Sequence, residues 1–409
     1  MHEYVIEAEG KQWGAGQGGF FTQSIKFTKA NETDVVLRFV YDCGTKSSRA
    51  ELHTAIREYA QGLPQHSMID AVFISHIDED HVNGLEMLAA ELKLRGVRIS
   101  KIVLPPLSDL VAFVLAATAT GSGAWREFAR NPAGRLREWF GEDQRILFLT
   151  DANGNADDQD ITVDNLDNAN SSIQKVDISN GGVRAMYVDG ANSRATAIWE
   201  IVPFVQPEVV DDKEGLRTFL GDKLSSDAFR WFHEDGFFIV PFEDRKKIRE
   251  GVARWSWGNV NSASLVLYSG SARSSDTYMI RLEFPAGARD HVLVQSLLNR
   301  TARTGWLGTG DAELSDRNRG PDALRQLQAF FGTRLDRLLV VNAPHHGSEA
   351  SSGEAFWDAT RPDVAVFNAS GKHYNHPSAA VVKLALTYAA VALQTRDSTS
   401  AFTFRLVRA

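Results

Sequence analysis

The chain has 409 residues but a single cysteine, Cys43. No intrachain disulfide can form, and a cysteine-based zinc ribbon is excluded. The lone thiol reads as a buried small hydrophobe. Long apolar runs are also missing. The longest, LSDLVAFVLAATA at 107–119, falls short of the ~20 residues that cross a bilayer, so no membrane partner is expected. The opening MHEYVIEAEG has neither a basic region nor an apolar core of the secretory kind, and a cytoplasmic location is the expectation. Excess positive charge is absent too: 44 Lys and Arg stand against 52 Asp and Glu, a net charge of −8. A strongly basic chain would point to duplex DNA, because phosphate neutralisation dominates that affinity. This balance gives no such push. It leaves room for a nuclease whose metal and local basic patch do the work, and equally for small anionic substrates. No internal repeat is visible at solenoid periods.

What is present is an ordinary globular composition, 43 % hydrophobic and 23 % charged, enough for a sizeable core. The pattern predicts strands at 19–29 and 35–42, a helix at 49–61, and a short, fully apolar strand at 70–75. A helix at 82–95, a strand at 100–104 and helical structure over 107–140 follow. Residues 151–182 are Asn/Asp-rich and read as loops. Strands are expected at 184–188, 197–206, 263–269, 276–284, 304–309, 336–343, 363–369 and 400–407, with helices at 321–332 and 378–390. We expect a single domain over 1–409, elaborated by insertions at 105–180 and at 211–256, the latter a helical, aromatic-rich subdomain whose Trp residues read as its core.

Four of these strands end in reactive residues. Asp42 closes the second. FISHIDEDHVNG at 73–84 follows with His76, Asp78, Asp80 and His81. Asp311 comes after Gly310, and His345 and His346 lie in APHHGS. Loops at strand ends are where a rigid scaffold converges side chains from distant sequence. Carboxylates and imidazoles suit Zn, Mn, Fe or Mg at neutral pH. Each cluster alone has a bland explanation: Asp80 would make a serviceable helix N-cap, Gly310-Asp311 an ordinary turn, and Asn375–Pro377 a structural one. Their recurrence at successive strand ends favours a metal centre.

HIDEDH at 76–81 resembles the H-x-[HD]-x-D-H signature of the metallo-β-lactamase superfamily, and TGD at 309–311 resembles its later bridging aspartate. APHHGSEASS at 343–352, NASGKHYNHPS at 368–378, NSASLVLYSG at 261–270 and LQTRDSTSAFTF at 393–404 resemble a narrower group, the soluble domain of ComEC-type proteins. The resemblance spans most of the chain outside 105–180 and 211–256. It implies an α+β fold, a four-layer αββα sandwich with inserted segments, and two divalent ions, Zn or Mn with Mg also compatible. His76 and Asp78 can face one ion and Asp80 and His81 a second, with Asp311 bridging. One of His345 and His346 completes the second site. The His-Gly pair favours His346, leaving His345 toward substrate. Asp42 is expected to orient a ligand histidine, and His373, Asn375 and His376 to support the site or contact substrate. Asp80, His345 and His376 are the candidate catalytic groups.

Two departures stand out. Asp78 replaces the signature's middle histidine, a harder ligand that shifts preference toward Mn²⁺ or Mg²⁺. The superfamily's histidine between the first motif and the bridging aspartate has no clear counterpart: His233 and His291 alone fall in that interval, and an Asn/Ser-rich stretch, 259–264, lies in its place. The implied activity is metal-dependent hydrolysis of phosphodiesters by a metal-bridging hydroxide, acting as a phosphodiesterase or nuclease on DNA, RNA or a small nucleotide. The alternative is a degenerate, non-catalytic relative that binds a nucleotide or a protein partner.

Overall fold

The computed structural model describes residues 4–106, 123–149, 172–178, 180–189, 194–205, 218, 222, 264–285, 300–315, 320–372 and 375–408. Among the described residues, nine strands form one sheet in the order Arg300–Thr301, Tyr278–Glu283, Phe402–Arg408, Tyr4–Gln12, Phe21–Lys29, Val35–Tyr41, Ala71–Phe73, Ile102–Leu104, Ile146–Phe148. Eight form the other: Val391–Gln394, Val364–Phe367, Leu338–Asn342, Gly305–Gly308, Leu265–Ser271, Arg194–Val205, Val183–Asp189, Ile173–Asp177. Each sheet is part antiparallel and part parallel. The parallel part of the first runs from Val35–Tyr41 through Ile146–Phe148. That of the second runs from Gly305–Gly308 through Val391–Gln394.

The sequence explains the division. Tyr4–Gln12 alternates buried and exposed positions, as an antiparallel strand with one solvated face must. Ala71–Phe73, Leu338–Asn342 and Val364–Phe367 are buried throughout, as parallel strands covered on both faces are.

Three cores define the layers. Between the sheets lie Ile6, Phe21, Phe39 and Phe73 of the first and Trp199, Leu267, Trp306 and Val366 of the second. The indole of Trp306 stacks on Phe21 with 3.9 Å between ring centroids. Outside the first sheet, Val40, Val72 and Ile102 pack with Leu52, Leu88, Phe128 and Leu136 of helices Arg49–Gly62, Leu85–Leu94, Gly123–Arg130 and Pro132–Phe140. Outside the second, Val266, Leu307 and Val341 pack with Leu327, Phe331, Trp357 and Ala385 of helices Gly320–Phe331, Glu354–Thr360 and Ala379–Tyr388. This is the four-layer αββα sandwich expected of the metallo-β-lactamase fold.

The structure departs from the expected elements in a few places. Tyr4–Gln12, Ile146–Phe148 and Val391–Gln394 are strands the pattern did not reveal. Ile173–Asp177 is a strand inside the region read as loops. The helix expected over 82–95 is two, Glu79–Val82 and Leu85–Leu94. The break has a physical cause: the Gly84 amide donates to the Cys43 carbonyl at 2.8 Å, and a Cβ there would lie 2.8 Å from the Cys43 sulfur. Cys43 itself is fully buried. Almost all of 211–256 lies outside the described residues, as do 107–122 and 150–171 of the first expected insertion. The described helices of that insertion belong to the outer layer of the first sheet. Among the described residues no helix is long and apolar enough to cross a membrane.

Candidate metal centre

The parallel strands of both sheets end at one place. Val35–Tyr41 delivers Asp42, and Ala71–Phe73 delivers Ser75 and His76. Gly305–Gly308 leads into Asp311, and Leu338–Asn342 into His345 and His346. The two halves are tied there by the Leu265 amide, which donates to the Ser75 carbonyl at 2.7 Å, and within the second half the His345 amide donates to the Gly310 carbonyl at 2.9 Å. Gly310 has φ +51, and a Cβ on it would stand 2.6 Å from that of Ser75. A larger residue would hold the two loops apart.

Asp311 sits in the middle, buried. Its Oδ1 lies 3.4 Å from His81 Nε2 and 3.4 Å from His346 Nε2. Its Oδ2 lies 3.6 Å from His76 Nε2 and 3.5 Å from His345 Nε2. Asp80 Oδ2 is 3.4 Å from His346 Nε2, and Asp78 Oδ2 is 3.9 Å from His76 Nε2. These separations are too long for good N–H···O bonds, and the buried Nε2 atoms of His76, His81 and His346 have no hydrogen-bond partner. Two donors each ~2.1 Å from one tetrahedral ion stand roughly 3.4 Å apart. The donor set therefore fits divalent metal. Donor atoms of His76, His81 and Asp311 form one group that could hold an ion, and those of Asp80, His81 and His346 another.

The far nitrogens of the rings are fixed. Asp42 Oδ2 accepts from His81 Nδ1 at 2.8 Å and from the Ser75 hydroxyl at 2.8 Å, and its Oδ1 accepts from the Ser75 amide at 2.7 Å. With its proton committed to Asp42, the Ser75 oxygen accepts from His76 Nδ1 at 3.0 Å. His345 Nδ1 meets the Ser351 hydroxyl at 3.2 Å. This network assigns the proton to Nδ1 in His81 and His76, and it turns the Nε2 of all three rings toward the centre.

Asp78 occupies the N-cap position of Glu79–Val82 but makes no capping hydrogen bond, and Asp80 lies inside that short helix. The capping explanation for Asp80 therefore does not hold. Gly44 makes room for the loop: a Cβ on it would lie 2.5 Å from the Asp80 carbonyl carbon and 2.6 Å from the His81 nitrogen.

Burial and, after it, the charge of His81 push His76 down to about 3. Burial also opposes charge on His81, but the carboxylates of Asp42 and Asp311 outweigh it and hold His81 well above its ordinary value. Burial and the neighbouring Asp80 raise Asp78 to about 6. For Asp80 and Asp311 the cost of burial is overcome by surrounding histidines, joined at Asp80 by Lys46, and both stay below the usual carboxylate range.

His376 reaches the rim, its ring 5.6 Å from that of His345. Burial and then the charges of His345 and His346 lower it to about 4. Asn375 is exposed, in a turn with φ 57. His373, His233 and His291 lie outside the described residues. The sequence reading missed Lys46, whose Nζ sits 2.8 Å from Asp80 Oδ1. Its place just past the strand ending at Asp42 was the available signal. Ser75 and Ser351 were missed as well, since serine beside histidine carries no distinctive pattern.

No curated protein matches the chain in sequence. The family described as Anti-Pycsar protein Apyc1 matches residues 20–111, a stretch that includes Asp42 and the HIDEDH motif and is well under half of the chain. Among solved structures, a long form RNase Z from yeast is similar at 8 % identity and TM-score 0.34, covering 97 % of this chain and 41 % of that one. The chain thus spans 41 % of the yeast protein's length. The metallo-beta-lactamase fold protein YhfI from Bacillus subtilis is similar at 9 % identity and TM-score 0.35, covering 96 % of this chain and 98 % of that one. At this level of similarity, the four layers rest on the strand pairing and the three cores themselves.

Proposed function

We propose that the protein is a metal-dependent hydrolase of phosphodiesters, a phosphodiesterase or nuclease acting on DNA, RNA or a small nucleotide. The observation that carries this reading is the Asp311 carboxylate, whose two oxygens face two different histidine pairs at ligand-like separations. A bridging carboxylate between two donor sets suits a pair of divalent ions, Zn or Mn with Mg compatible. Such a pair polarises a phosphoryl oxygen and activates water. The chain's own groups do the rest. Asp42 and Ser75 hold His81 and His76 with Nε2 toward the centre. Lys46 brings a cation to the edge of the site, where phosphate charge would gather. His376 stands at the rim, its ring 5.6 Å from that of His345, and is the candidate to meet the leaving group. The resemblance of APHHGS and NASGKHYNHPS to ComEC-type domains supports nucleic acid as substrate, and the absence of a basic surplus keeps small nucleotides in view.

The test is elemental analysis of the purified protein together with turnover of bis-p-nitrophenyl phosphate, with and without added Mn²⁺. About two ions per chain and metal-dependent turnover are expected. Asp80→Ala and His81→Ala should each abolish turnover while leaving the fold near intact. Turnover unchanged from the wild type in both variants, at equal purity, would refute the site. A non-catalytic binding protein is the second reading, favoured by the departure at the mid-chain histidine. It predicts less than one ion per chain even after Mn²⁺ is supplied.

A further inference from the structure

The two histidines of the HHG turn face different oxygens of Asp311, and among the described residues no mid-chain histidine joins the first metal subsite. We propose that His345 supplies the missing donor, so that His76, Asp78, His345 and Asp311 Oδ2 form one subsite and Asp80, His81, His346 and Asp311 Oδ1 the other. This rests on the metal-centre reading above and deepens it.

Geometry carries the assignment. His345 Nε2 lies 3.5 Å from Asp311 Oδ2, the oxygen that His76 Nε2 faces at 3.6 Å. Each separation matches a donor sharing an ion with that oxygen. His346 Nε2 instead lies 3.4 Å from Asp311 Oδ1 and 3.4 Å from Asp80 Oδ2, with His81 on the same side. Sequence neighbours reach two subsites of one centre because the backbone turns left-handed at both. His345 has φ 46 and ψ 51, and His346 φ 56 and ψ 19, followed by Gly347 at φ 86. Such conformations are strained for a non-glycine residue and persist where the surroundings over-determine them. Here the surroundings include the hydrogen bond that the His345 amide donates to the Gly310 carbonyl, which locks the turn to the loop carrying Asp311.

The orientation of the His345 ring repeats that of the other donors. Ser351 holds His345 Nδ1 as Ser75 holds that of His76 and Asp42 that of His81. A histidine that served substrate alone would not need its Nε2 directed at the bridging carboxylate. The position expected for the third donor falls in a part of the chain whose only histidines are His233 and His291. His345 makes neither necessary. The two subsites also differ in access. The His345 side chain is 25 % exposed and that of His346 4 %, so the subsite with His345 opens to solvent and exchanges its ion more readily.

The experiment is calorimetric titration of the chelator-treated full chain with Mn²⁺, with Co²⁺ absorption recorded in parallel. The wild type should take up two ions in two steps. His345→Asn keeps a residue that tolerates the left-handed backbone but removes the imidazole. It should retain the tighter step and weaken the other by more than ~100-fold, beyond the 10–100-fold typical of losing a ligand's hydrogen-bond partner. His346→Asn should weaken the tighter step instead. Should His345→Asn fail to fold, Ser351→Ala leaves the imidazole in place. It should weaken the same step by ~10–100-fold, and unchanged binding in it overturns the assignment. Two ions bound by His345→Asn with wild-type affinity likewise overturn the assignment while leaving the metal-dependent hydrolase standing. No ion in the wild type overturns both.

Discussion

Asp42→Asn separates the chemistry of the site from its shape. The carboxylate is buried and accepts three hydrogen bonds: the Ser75 amide at Oδ1, and the Ser75 hydroxyl with His81 Nδ1 at Oδ2. An amide of the same size has one acceptor oxygen. If that oxygen takes the Ser75 amide, the NH₂ group faces His81 Nδ1. His81 must then move its proton to Nε2, the atom that would bind metal. If the amide is flipped, its NH₂ confronts the Ser75 N–H and the turn before His76 is disturbed. Either way the centre is damaged through a residue that touches no metal in the proposed arrangement. Loss of such a partner costs about 10–100-fold in affinity, roughly 1.4–2.7 kcal/mol. Competition with a fluorescent chelator for Mn²⁺ reads this directly. In EDTA the same variant should lose about 1.5–3 kcal/mol of stability, the contribution of a hydrogen bond to a charged group. The pH dependence has a definite sign. His81 is held above its ordinary value by Asp42 and Asp311, so its contribution is full below ~6.5 and fades as pH rises through its native value. The stability gap between wild type and Asp42→Asn in EDTA should therefore narrow toward alkaline pH. Wild-type metal affinity together with an unchanged melting curve in Asp42→Asn would refute the reasoning.

Metal itself should stabilise the fold. Each ion at a hundredfold its dissociation constant contributes about 2.7 kcal/mol, so thermal melts with Mn²⁺ should lie clearly above melts in EDTA, and coincident melts would count against the centre. Gly44→Ala drives a methyl group into the backbone at Asp80 and His81. It should weaken Mn²⁺ binding in the same chelator assay, and unaltered affinity would show that the loop can move aside. Trp306→Ala removes the ring stacked on Phe21 between the sheets and should cost about 3–5 kcal/mol in urea denaturation. A loss below about 1 kcal/mol would mean that the inter-sheet core is not packed as described.

The legibility of the sequence followed burial. Strands covered on both faces, such as Ala71–Phe73 and Leu338–Asn342, appear as short continuous apolar runs, and the polar residues that follow them stand out by contrast. Asp42, His76–His81, Asp311 and His345–His346 were found in this way, and the structure brings all of them to one place. Tyr4–Gln12 was missed because YVIEAEGKQ carries two glutamates and a lysine. The glutamates face solvent from an antiparallel strand, and the glycine-rich GAGQGG at 14–19 was the turn signal that marked its end. The break at Gly84 was hidden for a different reason. Val82, Leu85 and Leu88 keep helical spacing across it, and only the approach of Cys43, forty-one positions earlier in the numbering, interrupts the helix.

The division of donors between subsites lies beyond residue pattern altogether. Spacing allowed His345 and His346 to share a single role, because adjacent side chains on extended backbone point to opposite faces and only one would reach the centre. Left-handed backbone at both residues removes that restriction, and nothing about two histidines before Gly347 requires it. What fixes it is distant: Gly310, kept close by the positive φ and missing Cβ that let its turn pack on Ser75, accepts the His345 amide. The sheet carrying Ser75 and the sheet carrying Asp311 thus set the angle at which the HHG turn enters the site. An arrangement in which the final histidine pair reaches both oxygens of Asp311 is a property of the packed sandwich. The sequence names the donors, and the contact between the two halves decides which ion each one would serve.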